Sequence, residues 1–435
     1  MQDAIGEKRG VNILNSLASV LFFLIGLHLP KAFTLLYVAL LVCAIQVRQS
    51  KPQAKVALPA YWRWSFLGLS LFSIVYLGIM LYWGFASPQG SGLLDCISAL
   101  VLPAACFWIG LRLPVLGRAK TTKLLLAYGL GALLDVVAAL FVARHPWWAL
   151  DQIFPGEIST PWGVPQVVNV RSMEQNGILA LALLPSALLL AVKPAVPARA
   201  GAVLIGGASL VGLHAVLSLN GRLGFLALAL ALLPLFPVAW QLRHHWLKSF
   251  TAAGLGGIVL MGAVIGRHPF VQRLLAGGFC DERFGIYSGF LQQLGQGLLG
   301  GHRISFSTFL CDGTSPFGFG VGSPLTMVHS VVLDIYNDAG FLPVVLLLSA
   351  LLPALASIVR GFWSLSAKGM WDWQWSVRWS WFVVLATQWL FQPLLYGDGL
   401  LYYLSFLVLG LLAAEFALVC SKGSAEPLPQ STLSA

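Results

Sequence analysis

The chain has 435 residues, of which 58% are hydrophobic and only 10% charged, with a net charge of +10 and a mean hydropathy of +0.82. That balance excludes a water-soluble domain, in which about 25% of residues are charged, and points to a polytopic integral membrane protein. The positive charge needs no nucleic-acid partner to explain it, because most of it falls in the loops that join apolar runs.

A helix needs roughly 20 apolar residues to cross the hydrocarbon core. Runs of about that length occur at twelve places: 11–29, 31–47, 61–86, 93–111, 124–143, 177–193, 201–219, 223–240, 249–266, 340–360, 377–395 and 399–419. The expected fold is an all-α integral membrane bundle of about twelve transmembrane helices, forming a single polytopic domain over 1–435. No cleavable leader is expected, since the first run has no small-x-small exit and leads straight into the second.

Lys and Arg favour the cytoplasmic loops. With the N-terminus inside, the inner segments hold 18 of the 26 cations, and an even number of spans leaves both termini in the cytoplasm. The other eight are Lys31, Arg144, Arg171, Arg222, Arg267, Arg273, Arg283 and Arg303, seven of them arginine. Topology gives no reason for arginine on the outer face. A guanidinium grips phosphate bidentately and keeps its charge in a partly dry site, so the skew suggests an anionic ligand there.

In chain order, the first outer segment of substance is 144–176, whose HPWWALDQIFPG and STPWGVPQ read as an ordered loop on the membrane surface. Arg222 follows in SLNGRLGFLALAL, in a turn of only a few residues. It is either a snorkelling helix-end arginine or a ligand-binding one, with Gly221 and Gly224 allowing an anion close to the backbone.

The large outer loop, 267–340, is the main polar insertion. Arg283 lies in CDERFGIYSGFLQQLGQGLL, a short amphipathic helix, and either pairs with Asp281 and Glu282 or faces a ligand. Cys280 and Cys311 share this loop and are a candidate disulfide if it faces an oxidising compartment; their spacing does not suit a metal site. After the Gly-rich PFGFGVGSP comes VHSVVLDIYNDAGFLPVV, with His329 at the mouth of a span and Asp334 and Asp338 at helical spacing, on faces other than that of the histidine. His329 is either an ordinary interfacial histidine or a base, kept neutral by surrounding arginines. Asp398, in the YGDG turn between the last two spans, is a turn residue or an orienting carboxylate. The stretch 421–435 reads as a cytoplasmic tail.

No HExxH, GxSxG or Walker loop is present, and the acidic residues outside form no metal-binding pair. Arginines with one histidine at the outer leaflet suit a lipid-linked diphosphate. The arginines would stabilise the leaving diphosphate, and the histidine would take a proton from an acceptor hydroxyl.

The order of these motifs, GR-L-G opening a span, a large outer loop with its arginine and short helix, GFGVG, then H-S-x-x-L-D-x-x-N-D-x-G, resembles the O-antigen ligase family over about residues 200–350. The resemblance implies an inverting, metal-independent glycosyltransferase with no cofactor, in a GT-C-like bundle in the bacterial inner membrane, acting on the periplasmic side. The implied donor is an undecaprenyl diphosphate-linked O-antigen, and the implied acceptor is a lipid A-core oligosaccharide, both presented among membrane lipids. Arg222 and Arg283 match the family's diphosphate-binding arginines and His329 its catalytic histidine; Arg171, Arg303, Asp334, Asp338 and Asp398 are secondary candidates. Relatives often carry Asn where this chain has Ser330, and a later acid of their motif is displaced here to Asp334 or Asp338.

The wider group also contains O-antigen polymerases and protein O-oligosaccharyltransferases. The latter are disfavoured because many of them carry an added C-terminal domain, whereas this sequence ends a few residues after its last span. A polyprenyl-lipid transporter or flippase is the alternative from another class, and it would place charges at membrane depth. Asp95 and Asp135 are the nearest candidates for that role.

Overall fold

The computed structural model describes residues 2–29, 32–50, 61–84, 92–142, 169–193, 195–218, 222–235, 282–294, 303–307, 324–392, 394–397 and 399–422. These residues form helices, with one antiparallel pair of two-residue strands. The helices are α1 (Gln2–Gly26), α2 (Ala32–Gln49), α3 (Tyr61–Tyr82), α4 (Leu93–Arg112), α5 (Arg118–Val142), α6 (Asn169–Ala182), α7 (Leu184–Ala191), α8 (Val196–Ser218), α9 (Arg222–Leu232), α10 (Glu282–Gln293), α11 (Val331–Ala339), α12 (Phe341–Ala367), α13 (Trp373–Phe391), α14 (Leu394–Gly397) and α15 (Gly399–Lys422). Strands β1 (Phe306–Ser307) and β2 (Pro324–Leu325) pair within the large loop.

Among the described residues, eight helical stretches are long and apolar enough to cross a membrane, and Ile13–Gly26 and Leu223–Leu232 are apolar but shorter. The chain is a multi-pass helical membrane protein. Eight is fewer than the twelve spans expected from the sequence. The stretch 249–266 lies outside the described residues, and the run expected at 377–395 falls in α13, which carries Arg378, Ser380, Thr387 and Gln388.

α15 is apolar on every side and buried along most of its length, as a helix surrounded by others must be. It crosses α4 at its closest where Gly110 faces Gly410. A Cβ at Gly110 would sit 2.1 Å from the Leu407 carbonyl oxygen, and one at Gly410 would sit 2.3 Å from that of Phe107. Two helices that close have no room for side chains, which is why small residues mark such crossings in membranes. The outward faces are apolar instead: Leu67, Leu71 and Ile74 on α3, and Leu348, Leu352 and Val359 on α12, are exposed and suited to acyl chains.

One end of the bundle is fastened by a buried arginine. Arg378 on α13 has no exposed surface. Its Nε pairs with Glu415 on α15, Nη1 donates to Thr122 Oγ1 at 2.7 Å, and Nη2 donates to Thr121 Oγ1 at 2.6 Å and to the Arg118 carbonyl at 3.0 Å. Every group on this arginine is used, as burial of a charge demands. The opposite end carries the described parts of the large loop and the candidate site.

Candidate functional site

Two short helices of the loop meet at His329. The α10 sequence turns Ile286 and Phe290 inward, and these pack with Val328 in a small buried cluster flanked by Tyr287, Leu333 and Tyr336. From the same helix the Tyr287 hydroxyl lies within reach of two carbonyls, donating to Leu390 at 3.0 Å on α13 and reaching His329 at 3.4 Å. The histidine turn is therefore held between a loop helix and the end of α13.

His329 is half-buried and has φ of +60°, and Arg303 has φ of +52°. A non-glycine residue in the left-handed region costs about 1–3 kcal/mol and persists only where its surroundings hold it. For His329 the holding group is Asp334. Its Oδ1 accepts the Val328 N–H at 2.6 Å, and the N–H groups of Ser330 and His329 also favour its ionised form. Ser330 is the N-cap of α11, yet its side chain makes no cap bond and lies instead 3.5 Å from the Trp389 carbonyl. Asp334 meets N–H groups just before the helix instead. Burial pushes the Asp334 carboxyl up to about 8 despite those donors, so near neutral pH it keeps its proton.

One turn on, Asp338 is a second buried carboxylate with a different task. Tyr76 on α3 donates to its Oδ2 at 2.6 Å, Tyr396 on α14 donates to the same oxygen, and Arg303 Nε donates to Oδ1 at 3.0 Å. The Arg303 guanidinium also lies over the Tyr396 ring, 5.1 Å from its centroid. Burial raises the Asp338 carboxyl while the three donors oppose that rise, and burial beside Asp338 raises the Tyr396 phenol. Asn337 ties in the loop backbone, accepting the Ile304 N–H at 3.0 Å and donating to the Ile304 and Thr326 carbonyls at 3.3 and 2.8 Å. The segment at Arg303 and Ile304 is thereby tied to α3, α11 and α14.

Three of the arginines singled out from the sequence, Arg171, Arg222 and Arg283, occupy helix starts, while Arg144, Arg267 and Arg273 lie outside the described residues. Arg283 lies in the first turn of α10, one turn before Tyr287, and Arg171 in the first turn of α6. Arg222 opens α9. Leu230 near the far end of α9 accepts from Trp379 at 2.9 Å, low on α13, while Gly224 meets Ile178 higher up α6. α9 thus climbs to the loop end at Arg222. Gly224 does not leave its backbone open to an anion, because a Cβ there would sit 2.6 Å from Val216; it serves helix packing. Gly221, Asp398, Cys280 and Cys311 lie outside the described residues. Arg303 is engaged by Asp338 and Tyr396 rather than presented alone to a ligand.

The two charges noted at membrane depth also have local roles. Asp95 caps its own helix, accepting the Gly92 N–H at 3.1 Å. Asp135 is buried at the loop end, 3.4 Å from Asn176 Nδ2 and 3.7 Å from His28 Nδ1. Among the described residues no three His, Cys, Asp or Glu side chains gather as a metal ion would require.

Tyr76, Tyr287, Tyr396 and Asn337 were not found by reading the sequence. A tyrosine in an apolar span has no spacing that sets it apart, and Asn337 sat inside a motif read for its acids. No known family model matches this chain, and no curated protein matches it.

Proposed function

We propose that this protein is an inverting, metal-independent glycosyltransferase that moves a glycan from a polyprenyl diphosphate to a sugar hydroxyl at the outer leaflet, with His329 as general base. On this reading it is an O-antigen ligase of the bacterial inner membrane, acting on the periplasmic side. The donor is an undecaprenyl diphosphate-linked glycan and the acceptor is the lipid A-core oligosaccharide.

The observation that carries the reading is the junction at His329. A half-buried histidine on a strained turn stands at the mouth of a membrane bundle, its backbone carbonyl 3.4 Å from the hydroxyl of Tyr287, on the helix whose first turn carries Arg283. In the reaction the acceptor oxygen attacks the anomeric carbon as the bond from that carbon to the diphosphate oxygen breaks. The hydroxyl proton passes to the imidazole. Arg283 and Arg222 stabilise the charge that grows on the departing diphosphate, and the apolar outer faces of the spans take the polyprenyl tail.

The test is ligation in a ligase-null bacterium with a matched acceptor core, comparing wild type with His329→Ala at equal expression. The proposal expects long-chain lipopolysaccharide from wild type and only polyprenyl-linked glycan from the variant. Changed glycan length without ligation by wild type would assign the chain to polymerisation instead.

A further inference from the structure

We infer that Asp334 is a positioning residue for His329, its carboxyl fixing the left-handed backbone of the turn that carries the imidazole. The inference rests on the functional reading above for its consequence in catalysis, though not for its geometry.

Three observations converge on it. His329 is at φ +60°, where an L-residue does not remain unless held. The Val328 N–H that precedes it is bound at 2.6 Å by Asp334 Oδ1, from a side chain with no exposed surface. Asp334 in turn is fixed by its own helix, its N–H donating to the Ser330 carbonyl at 2.7 Å. The loop from Val328 to Asp334 is thus closed on itself by one side-chain bond and one backbone bond, with His329 inside it.

The role needs an acceptor oxygen and no charge. Asp334 Oδ2 is buried with no hydrogen-bond partner, so a single oxygen does the holding. The group keeps its proton near neutral pH, which allows a buried carboxyl to sit there without a counter-ion. Asparagine has the same shape and the same acceptor. Leucine has the volume and no acceptor.

The experiment reads the imidazole directly. Purified detergent-solubilised protein is treated with diethyl pyrocarbonate, which acylates unprotonated imidazole, and the rate at each histidine is followed by peptide mass spectrometry, alongside glycan transfer. In Asp334→Leu the rate at His329 is expected to change at least fivefold, with the rate at His28 unchanged and transfer lost. In Asp334→Asn the His329 rate should stay within twofold of wild type and transfer within about threefold. If Asp334→Leu does not fold, Asp334→Ser gives the same comparison, its hydroxyl being too short to reach Val328. An unchanged His329 rate in a folded Leu or Ser variant overturns the inference, and so does a fivefold change in the Asn variant. Labelling needs no substrate, so these outcomes are separate from a wild type that transfers nothing, which would overturn the functional reading alone.

Discussion

The Tyr76 hydroxyl donates to Asp338 at 2.6 Å, joining α3 to a loop helix 262 residues away in sequence. Arg303 and Tyr396 complete the site, so one carboxylate gathers a span, a loop strand segment and the short helix before the last span. Removing a single donor leaves two, and Tyr76→Phe should cost about 1.5–3 kcal/mol, as loss of a bond to a charged group does. Asp338→Ala leaves the Arg303 guanidinium half-buried with its main partner gone, and about 3–5 kcal/mol is expected. Thermal unfolding of the detergent-solubilised variants measures both; equal losses would show that the network is not centred on Asp338.

Asp334 makes stability depend on pH. Its folded pKa, about 8, lies above the ordinary value of 3.8, because of burial and with a smaller upward push from Asp338. Between those values the unfolded chain gives up a proton that the folded chain retains. This group's stabilising effect is therefore complete below about pH 4 and is lost as pH rises through 8, by at most about 1.4 kcal/mol per pH unit. Asp334→Asn removes that slope. Melting curves from pH 5 to 8 should show the variant gaining on wild type as pH rises, and parallel curves would mean that Asp334 ionises in the folded state as freely as in the unfolded one.

How far the sequence announced this arrangement depends on what each residue's signal was. Apolar runs mark spans without reference to any partner, so most of the helices were legible. The histidine was singled out because its motif and the arginine skew are local. Asp334 was seen at helical spacing and placed on a face other than that of His329; its carboxyl folds back onto the backbone beside the histidine, which spacing does not reveal. Arg378 looked like an inner-loop cation. Its partners Thr121, Thr122 and Glu415 lie 257, 256 and 37 residues away, and only the packing of α5, α13 and α15 brings them together.

That packing can be tested at the end of the bundle far from His329. Arg378→Ala would leave Glu415 buried without its cation, costing about 3–5 kcal/mol. Arg378→Met combined with Glu415→Leu removes both charges and fills the space, and should recover most of that loss. The two melting temperatures decide it. If the double variant is no better than Arg378→Ala, the hydrogen bonds to Thr121 and Thr122 carry the stability rather than relief of an unpaired charge.

The functional reading separates donor binding from turnover, and its variants should separate them too. His329→Ala removes a base that acts once donor and acceptor are in place, so donor affinity should stay within about twofold while transfer falls by about 10²–10⁴. Arg222→Ala and Arg283→Ala remove contacts to the diphosphate in both ground and transition states, so each should weaken donor binding as well as transfer, by about tenfold or more per lost charge-assisted contact. Lysine at either position restores the charge but not the bidentate fork, so recovery should be partial. Donor affinity is read by titrating purified protein with a polyprenyl diphosphate-linked glycan, and transfer by product formation. The same assays in excess EDTA are expected to give unchanged rates, since guanidinium is proposed to do what a divalent ion does elsewhere. Activity abolished by EDTA and restored by Mg²⁺ would move the leaving-group chemistry from the arginines to a metal.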